Sequence, residues 1–287
     1  MLCIFPYFCV ILFLEIRRKI MDKIGFIGMG NMGYALMNGC LSFFDKDDVL
    51  FFDTNDERCK EINLKTGVNY VSSVKELIES AKYVVLAIKP QVYEVALEGV
   101  GDYVSEETII ISLAPGITVD KVKELTSAEK VIRTMPNTPA MVNAGMTGIC
   151  YDEEKFSPDE EIVIDKIFHS IGKYKKVDED LMNAVVCASG SSPAYVFMFI
   201  EAMADAAVAD GMSRAQAYQL AAQSVMGSAK MVLETGEHPG YLKDQVCSPS
   251  GNTIIGVKTL EEHGVRSAFI NTIIKAVERA KEIGKNK

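Results

Sequence analysis

The sequence predicts an α/β protein: a doubly wound, mostly parallel sheet followed by an all-α C-terminal part. Three observations carry this. Short apolar runs alternate with amphipathic stretches from Met21 to about Val177. A glycine pattern stands between the first run and the first amphipathic stretch. From Asp178 onward almost only helical periodicity remains.

In chain order, strands are predicted at Lys23–Ile27, Val49–Phe52, Tyr83–Ile88, Thr108–Ser112 and Lys130–Arg133. The unbroken apolar character of 84–88 and 109–111 suits strands covered on both faces. Between them, helices are predicted at Met32–Leu41, Glu57–Leu64, Val74–Ser80, Val92–Val100 and Val119–Leu125. Short strands near Gly148–Tyr151 and Lys173–Lys176 complete an edge. The second part is dense in small residues at Ala202–Ala209 and Ala221–Ala229, so its helices can approach closely. Its apolar residues occupy more than one face, which suggests burial against a second subunit. The domains are therefore placed at 21–177 and 178–287. Residues 1–20 are set aside. The apolar run Met1–Leu14 is shorter than a membrane helix needs, and its basic residues follow it, unlike those of a signal peptide. It reads as an N-terminal extension or a start assigned upstream of Met21.

Composition narrows the function. With 48% hydrophobic and 24% charged residues, the 287-residue chain can bury a sizeable core, and disorder is excluded. A net charge of −9 argues against binding nucleic acid. The three histidines, His169, His238 and His263, show no metal-ligand spacing, so no metal is expected. Seven scattered cysteines without C-x-x-C read as reduced thiols in a cytoplasmic protein.

Gly28-Met29-Gly30-Asn31-Met32-Gly33 fits G-x-G-x-x-G in the strand-to-helix context that makes the pattern informative, and it points to a Rossmann-type dinucleotide site. Gly28 permits the tight turn, Gly30 lets backbone meet a pyrophosphate, and Gly33 lets helix and strand pack. Asp53, twenty residues beyond Gly33, ends the second strand. An acid there accepts from ribose hydroxyls and repels a 2′-phosphate, which leans towards NADH over NADPH. It can also serve as a turn former with Asn55, and Arg58 stands near enough to favour phosphate instead. Ala87-Ile88-Lys89-Pro90 and Ser112-Leu113-Ala114-Pro115-Gly116 close two further strands at the same crevice. Arg133, before the proline-rich loop 134–139, reads as structural.

With these segments the chain resembles the pyrroline-5-carboxylate reductase family over Met21–Lys287. The match rests on Gly25–Gly33, Ala87–Pro90, Arg133–Met146, Ser189–Tyr195, Lys243-Asp244 and Cys247–Thr253. The resemblance implies a Rossmann domain and a helical dimerisation domain, assembled as a homodimer or larger homo-oligomer. It implies hydride transfer from NADPH or NADH to the C=N carbon of 1-pyrroline-5-carboxylate, giving proline. By resemblance, Ile27 to Met32, Ala87 to Pro90, Ser112 to Gly116 (Ala114 included) and Gln245 fall on cofactor positions. Glu179, Ser248, Asn252 and Thr253 fall on substrate positions. The chain departs from the family at Asp53, where Ser or Thr is common, at Ser250, where a second Gly is common, and at Pro115, where Ala is common. A small residue is expected to fit at 250.

The loop Ser248-Pro249-Ser250-Gly251-Asn252-Thr253 precedes the apolar run 254–257, so it should enter a helix whose free N–H groups hold a carboxylate, with Gly251 allowing close approach. The Thr253 hydroxyl can donate to or accept from the imine nitrogen, and Thr253 is also a natural helix N-cap. Cys247 reads as a packed thiol and His238 as structural. Two rivals stand beside this reading: a β-hydroxyacid dehydrogenase, which the Ser248–Thr253 loop argues against, and a non-catalytic dinucleotide-binding module.

Overall fold

A computed structural model describes residues 23–285, so the N-terminal extension lies outside the described residues. Eight strands form one sheet in the order β3-β2-β1-β4-β5-β6-β7-β8. They are β1 (Ile24–Ile27), β2 (Val49–Phe52), β3 (Asn69–Tyr70), β4 (Tyr83–Leu86), β5 (Ile109–Ser112), β6 (Lys130–Met135), β7 (Gly145–Cys150) and β8 (Gly172–Lys176). Strands β1 to β6 pair in parallel, β7 runs antiparallel to β6, and β8 is parallel to β7. The sheet is thus doubly wound and mostly parallel, as expected, and the strand order reverses between β1 and β4, the switch point where ligands bind in such sheets.

The apolar runs are explained by two cores. Phe26, Val85, Ile109 and Ile111 face one side, packed by α1 (Asn31–Cys40), α2 (Asp56–Thr66) and α6 (Pro158–His169). Ile27, Val84, Leu86 and Ile110 face the other, covered by α3 (Val74–Ser80), α4 (Tyr93–Ala96) and α5 (Val119–Thr126). Side chains alternate between faces along a strand, so a strand buried on both sides reads as continuously apolar.

Two elements differ from expectation. β3 has only two residues, both exposed, and carries no apolar signal. The predicted helix over 92–100 is instead a 3₁₀ turn at Pro90–Val92, the single-turn α4 and a second 3₁₀ turn at Val100–Tyr103. Gly99, in the left-handed conformation at φ 70°, precedes the second turn. Tyr93 is turned into the sheet, where its hydroxyl meets Ser112 Oγ at 3.0 Å.

At the amino end of the sheet, Glu160 of α6 is buried against two lysines. Lys130 Nζ donates to both carboxylate oxygens at 2.9 and 3.0 Å, and Lys82 Nζ lies 3.1 Å away. Ser157 and Glu160 form a reciprocal capping box. Burial alone would raise the Glu160 pKa; the Lys130, Ser157 and Lys82 donors overcome it and hold the carboxyl at about 2. At the outer strand β8, Lys173 and Lys175 are exposed.

The described residues divide into two compact units, 23–190 with 280–285, and 191–279. The first runs past the predicted boundary at 177, because residues 178–190 are tied to it: Asn137 Nδ2 donates to the Ser189 carbonyl at 3.0 Å. Here α7 (Met182–Val185) leads into a π-helical turn at Val186–Gly190. The second unit holds α8 (Ser192–Ala209), α9 (Arg214–Thr235), α10 (Pro239–Val246), α11 (Asn252–Glu262) and most of α12 (Val265–Lys285). Its buried side chains are small (Ala204, Ala217, Ala221), while Phe197, Leu220 and Leu233 are 61%, 60% and 83% exposed. One stretch, Glu179–Ala209, is long and apolar enough to cross a membrane by length and composition, with a mean hydropathy of 1.3.

Candidate active site

The glycine turn is built by close contacts. Gly28 takes φ +95°, and a Cβ there would meet the Ala87 carbonyl oxygen at 2.8 Å. Its N–H donates to Phe52 O at 2.8 Å, and Ala87 N donates to Ile27 O at 2.8 Å, so the tips of β1, β2 and β4 are stitched together. A Cβ on Gly33 would collide with the Gly28 carbonyl oxygen. A Cβ on Gly30 would meet nothing within 4 Å. Gly30 is also the N-cap of α1 and has no side-chain acceptor, so no side chain of the cap satisfies the first N–H groups of the helix, at Asn31 and Met32. A bare helix N-terminus under an open glycine fits a pyrophosphate.

The other expected cofactor residues stand at the same carboxyl edge. Ala87, Ile88, Lys89 and Pro90 follow β4, while Ser112, Ala114 and Gly116 end and follow β5. Several are already committed. Ile27 and Met29 have buried side chains, so only their backbone can face a ligand. Ser112 is fully buried and bonded to Tyr93. Both carboxylate oxygens of Asp53 are engaged by backbone: Oδ2 accepts from Met29 N at 2.6 Å and Oδ1 from Asn55 N at 2.9 Å. It braces the glycine loop and forms the turn at once. Arg58, the residue that favours phosphate in the sequence reading, is paired: Nη1 donates to Glu61 at 2.9 Å and Nε to Met29 O at 3.4 Å.

Glu179 is placed in this first unit, at the start of a 3₁₀ turn. Its Oε1 accepts from Arg133 Nη1 at 2.9 Å and from Val119 N at 2.9 Å. The sequence reading passed over this pair. An arginine in an apolar strand and an acid 46 positions later carry no spacing rule; only β6 and the turn after β8 bring them together.

The remaining residues lie in the second unit. Gln245 is exposed on α10, followed by the loop at Ser248 and the start of α11. Two expectations change here. Thr253 is not the N-cap of α11; Gly251 takes that place with extended backbone (φ −74°, ψ 169°) and no side-chain cap. Asn252 and Thr253 are therefore the first two helical residues, whose N–H groups have no intrahelical acceptor. The demand at Ser250 is conformational and not one of size, since it is held at φ +61° in the left-handed region, where glycine is unstrained. A Cβ on Gly251 would strike Ser248 Oγ, which would have to turn away, and would sit 3.2 Å from the Ser248 carbonyl oxygen, so a side chain there crowds the turn. Cys247, at the end of α10, is half-buried, more open than a packed thiol. His238 caps α10 by accepting from Gly240 N at 3.1 Å, a structural role as expected. Among the described residues no group of three His, Cys, Asp or Glu could hold a metal ion.

Comparison with known proteins gives two family matches, pyrroline-5-carboxylate reductase dimerisation over residues 179–283 and NADP oxidoreductase, coenzyme F420-dependent, over residues 23–116. The chain is 43% identical over 267 residues to the pyrroline-5-carboxylate reductase of Escherichia coli (strain K12), covering 92% of this chain and 99% of that protein. Among solved structures, a pyrroline-5-carboxylate reductase from Coxiella burnetii is 33% identical with a TM-score of 0.84, covering 91% and 98% of the two chains. The Plasmodium falciparum pyrroline carboxylate reductase, solved with NADP bound, is 30% identical with a TM-score of 0.81, covering 92% and 98%.

Proposed function

This chain belongs to the pyrroline-5-carboxylate reductase family, and from that premise we propose how its residues share the reaction. It is an NAD(P)H-dependent oxidoreductase that reduces the C=N bond of 1-pyrroline-5-carboxylate to L-proline. A reduced nicotinamide supplies the hydride when bound.

The chain's own contribution is binding, orientation and proton placement. The N–H groups of Asn31 and Met32 and the space above Gly30 hold the pyrophosphate. Lys89, Pro90 and the loop ending at Gly116 line the nicotinamide half. Asp53, at the end of β2, favours NADH, because a 2′-phosphate would face its carboxylate while the guanidinium of Arg58 is occupied by Glu61. In the second unit, the Asn252 and Thr253 N–H groups, with Ser248 and Gly251, grip the substrate carboxylate without an arginine. The Thr253 hydroxyl holds the imine nitrogen, which accepts hydride better once protonated, and places the proton there. Gln245, exposed near the end of α10, is a cofactor residue by the family resemblance.

The observation that carries this reading is that each unit offers its own uncapped helix N-terminus, at Gly30 in the first and at Gly251 in the second, in a chain 43% identical to a pyrroline-5-carboxylate reductase over 99% of that protein. Thr253→Ala should cut turnover at least tenfold while leaving dinucleotide binding intact, since it removes one polar contact made at the reacting atom. Unchanged turnover removes Thr253 from the mechanism. Steady-state rates with NADH and NADPH test the cofactor preference.

The chain works as a homodimer or larger homo-oligomer in the cytoplasm. The dimerisation match over 179–283 and the exposed apolar residues of α8 and α9 support the first point; the free thiols support the second.

A further inference from the structure

The loop between β5 and α5 is held at both ends, by different means. At its near end, Leu113 N donates to Leu86 O at 3.1 Å and Thr134 Oγ1 to Ser112 O at 3.0 Å, so the sheet itself fixes the chain. The loop then turns at Gly116 (φ +78°) and enters α5 behind the N-cap Thr118. At the far end, Val119 is the first helical residue, and its N–H has no acceptor within the helix. Glu179 supplies one from outside α5, at 2.9 Å. A carboxylate is the strongest acceptor available for a helix N-terminus.

Glu179 comes from a short turn, half-exposed, and something must hold it. Arg133 does so at 2.9 Å, with its own side chain only 7% exposed. Arg133 stands on β6 directly beside Ser112, the last residue of β5. The guanidinium thus refers the far end of the loop back to the strand that fixes its near end. Between the loop and the turn after β4 lies a cavity of about 620 Å³, lined by Pro90, Gln91, Gly116, Thr118 and Lys121 among others. The loop is one wall of it.

We propose that Arg133 and Glu179 are a positioning pair for the reduced dinucleotide: they set the Gly116–Val119 wall of this cavity, and Glu179 acts on the reaction through Val119 instead of through the imine. This rests on the reading of Ser112–Gly116 as a cofactor loop. The test is direct titration with NADH and NADPH in the absence of imine, followed by steady-state kinetics. In Glu179→Ala the dissociation constant and KM for the reduced dinucleotide should rise about tenfold, as expected for one lost charged hydrogen bond. The KM for pyrroline-5-carboxylate should stay within about twofold. Glu179→Gln keeps an oxygen for the Val119 N–H and should recover most of the loss, whereas Arg133→Lys, which loses the planar fork, should show an intermediate defect. If Glu179→Ala does not fold, these two variants carry the test. A raised imine KM at unchanged dinucleotide affinity overturns the proposal, and so does unchanged affinity in all variants. A wild-type chain that binds neither dinucleotide overturns the underlying reading and this proposal with it.

Discussion

The two units solve the burial problem differently. The first encloses its own core: Phe26, Phe51, Val84, Val85 and Ile110 are fully buried within one chain. The second buries mainly alanines and leaves Phe197, Leu220 and Leu233 in the open. A helix with large apolar side chains on a bare face is incomplete as a monomer. The dimerisation match covers that region. The difference teaches that the dinucleotide half covers its large apolar residues from within, whereas the helical half leaves them as a face for the proposed second copy to cover.

Four predictions sharpen or break this contrast, in falling order of effect. Phe51→Ala, inside the first core, should cost about 3–5 kcal/mol at any protein concentration, read by urea denaturation. Leu220→Glu should cost about 1.5–3 kcal/mol of assembly per protomer by removing apolar burial across the face. Light scattering should show a smaller particle, and activity should become concentration-dependent; an unchanged mass would break the comparison. Glu160→Gln should cost about 2 kcal/mol near neutral pH, since Lys130 loses its charged partner and Lys82 loses its closer one while keeping Glu107 at 3.6 Å. The sign follows from a carboxyl held at about 2 in the fold, below its unfolded value. Its contribution is complete above the unfolded pKa and disappears as pH falls towards 2, so wild type and variant should converge in melting temperature at low pH. Ser250→Gly should stabilise by about 1 kcal/mol by releasing a left-handed serine, detected as a small rise in melting temperature.

The sequence disclosed elements whose physics is local. Buried parallel strands announce themselves as apolar runs, and β2 and α3 fall where expected. The glycine turn was legible because Gly28 and Gly33 each answer a separate steric demand, while Gly30 leaves open space above the helix start. What escaped was decided by distant partners. The predicted helix over 92–100 stops after Ala96, before Gly99 turns left-handed, and Tyr93 is anchored instead to Ser112, 19 positions on. β3 exists only because Leu50 and Phe51 offer an edge to pair with. The Arg133–Glu179 bond depends on three strands lying in order. At the α11 entrance the start of a helix was legible but its cap lies at Gly251, two positions before Thr253, because Gly and Thr both occur at caps and only backbone angles separate them.

The ends of the sheet have a consequence for how copies of this chain can associate. An open sheet carries unpaired N–H and C=O groups along each outer strand, a template onto which another chain can add. Here one margin is a strand of two residues, too short to seed an addition, and the other sets the ammonium groups of Lys173 and Lys175 at intervals where a like strand would meet charge against charge. Neither margin invites continuation. Strand addition to the dinucleotide half is thus disfavoured at both margins.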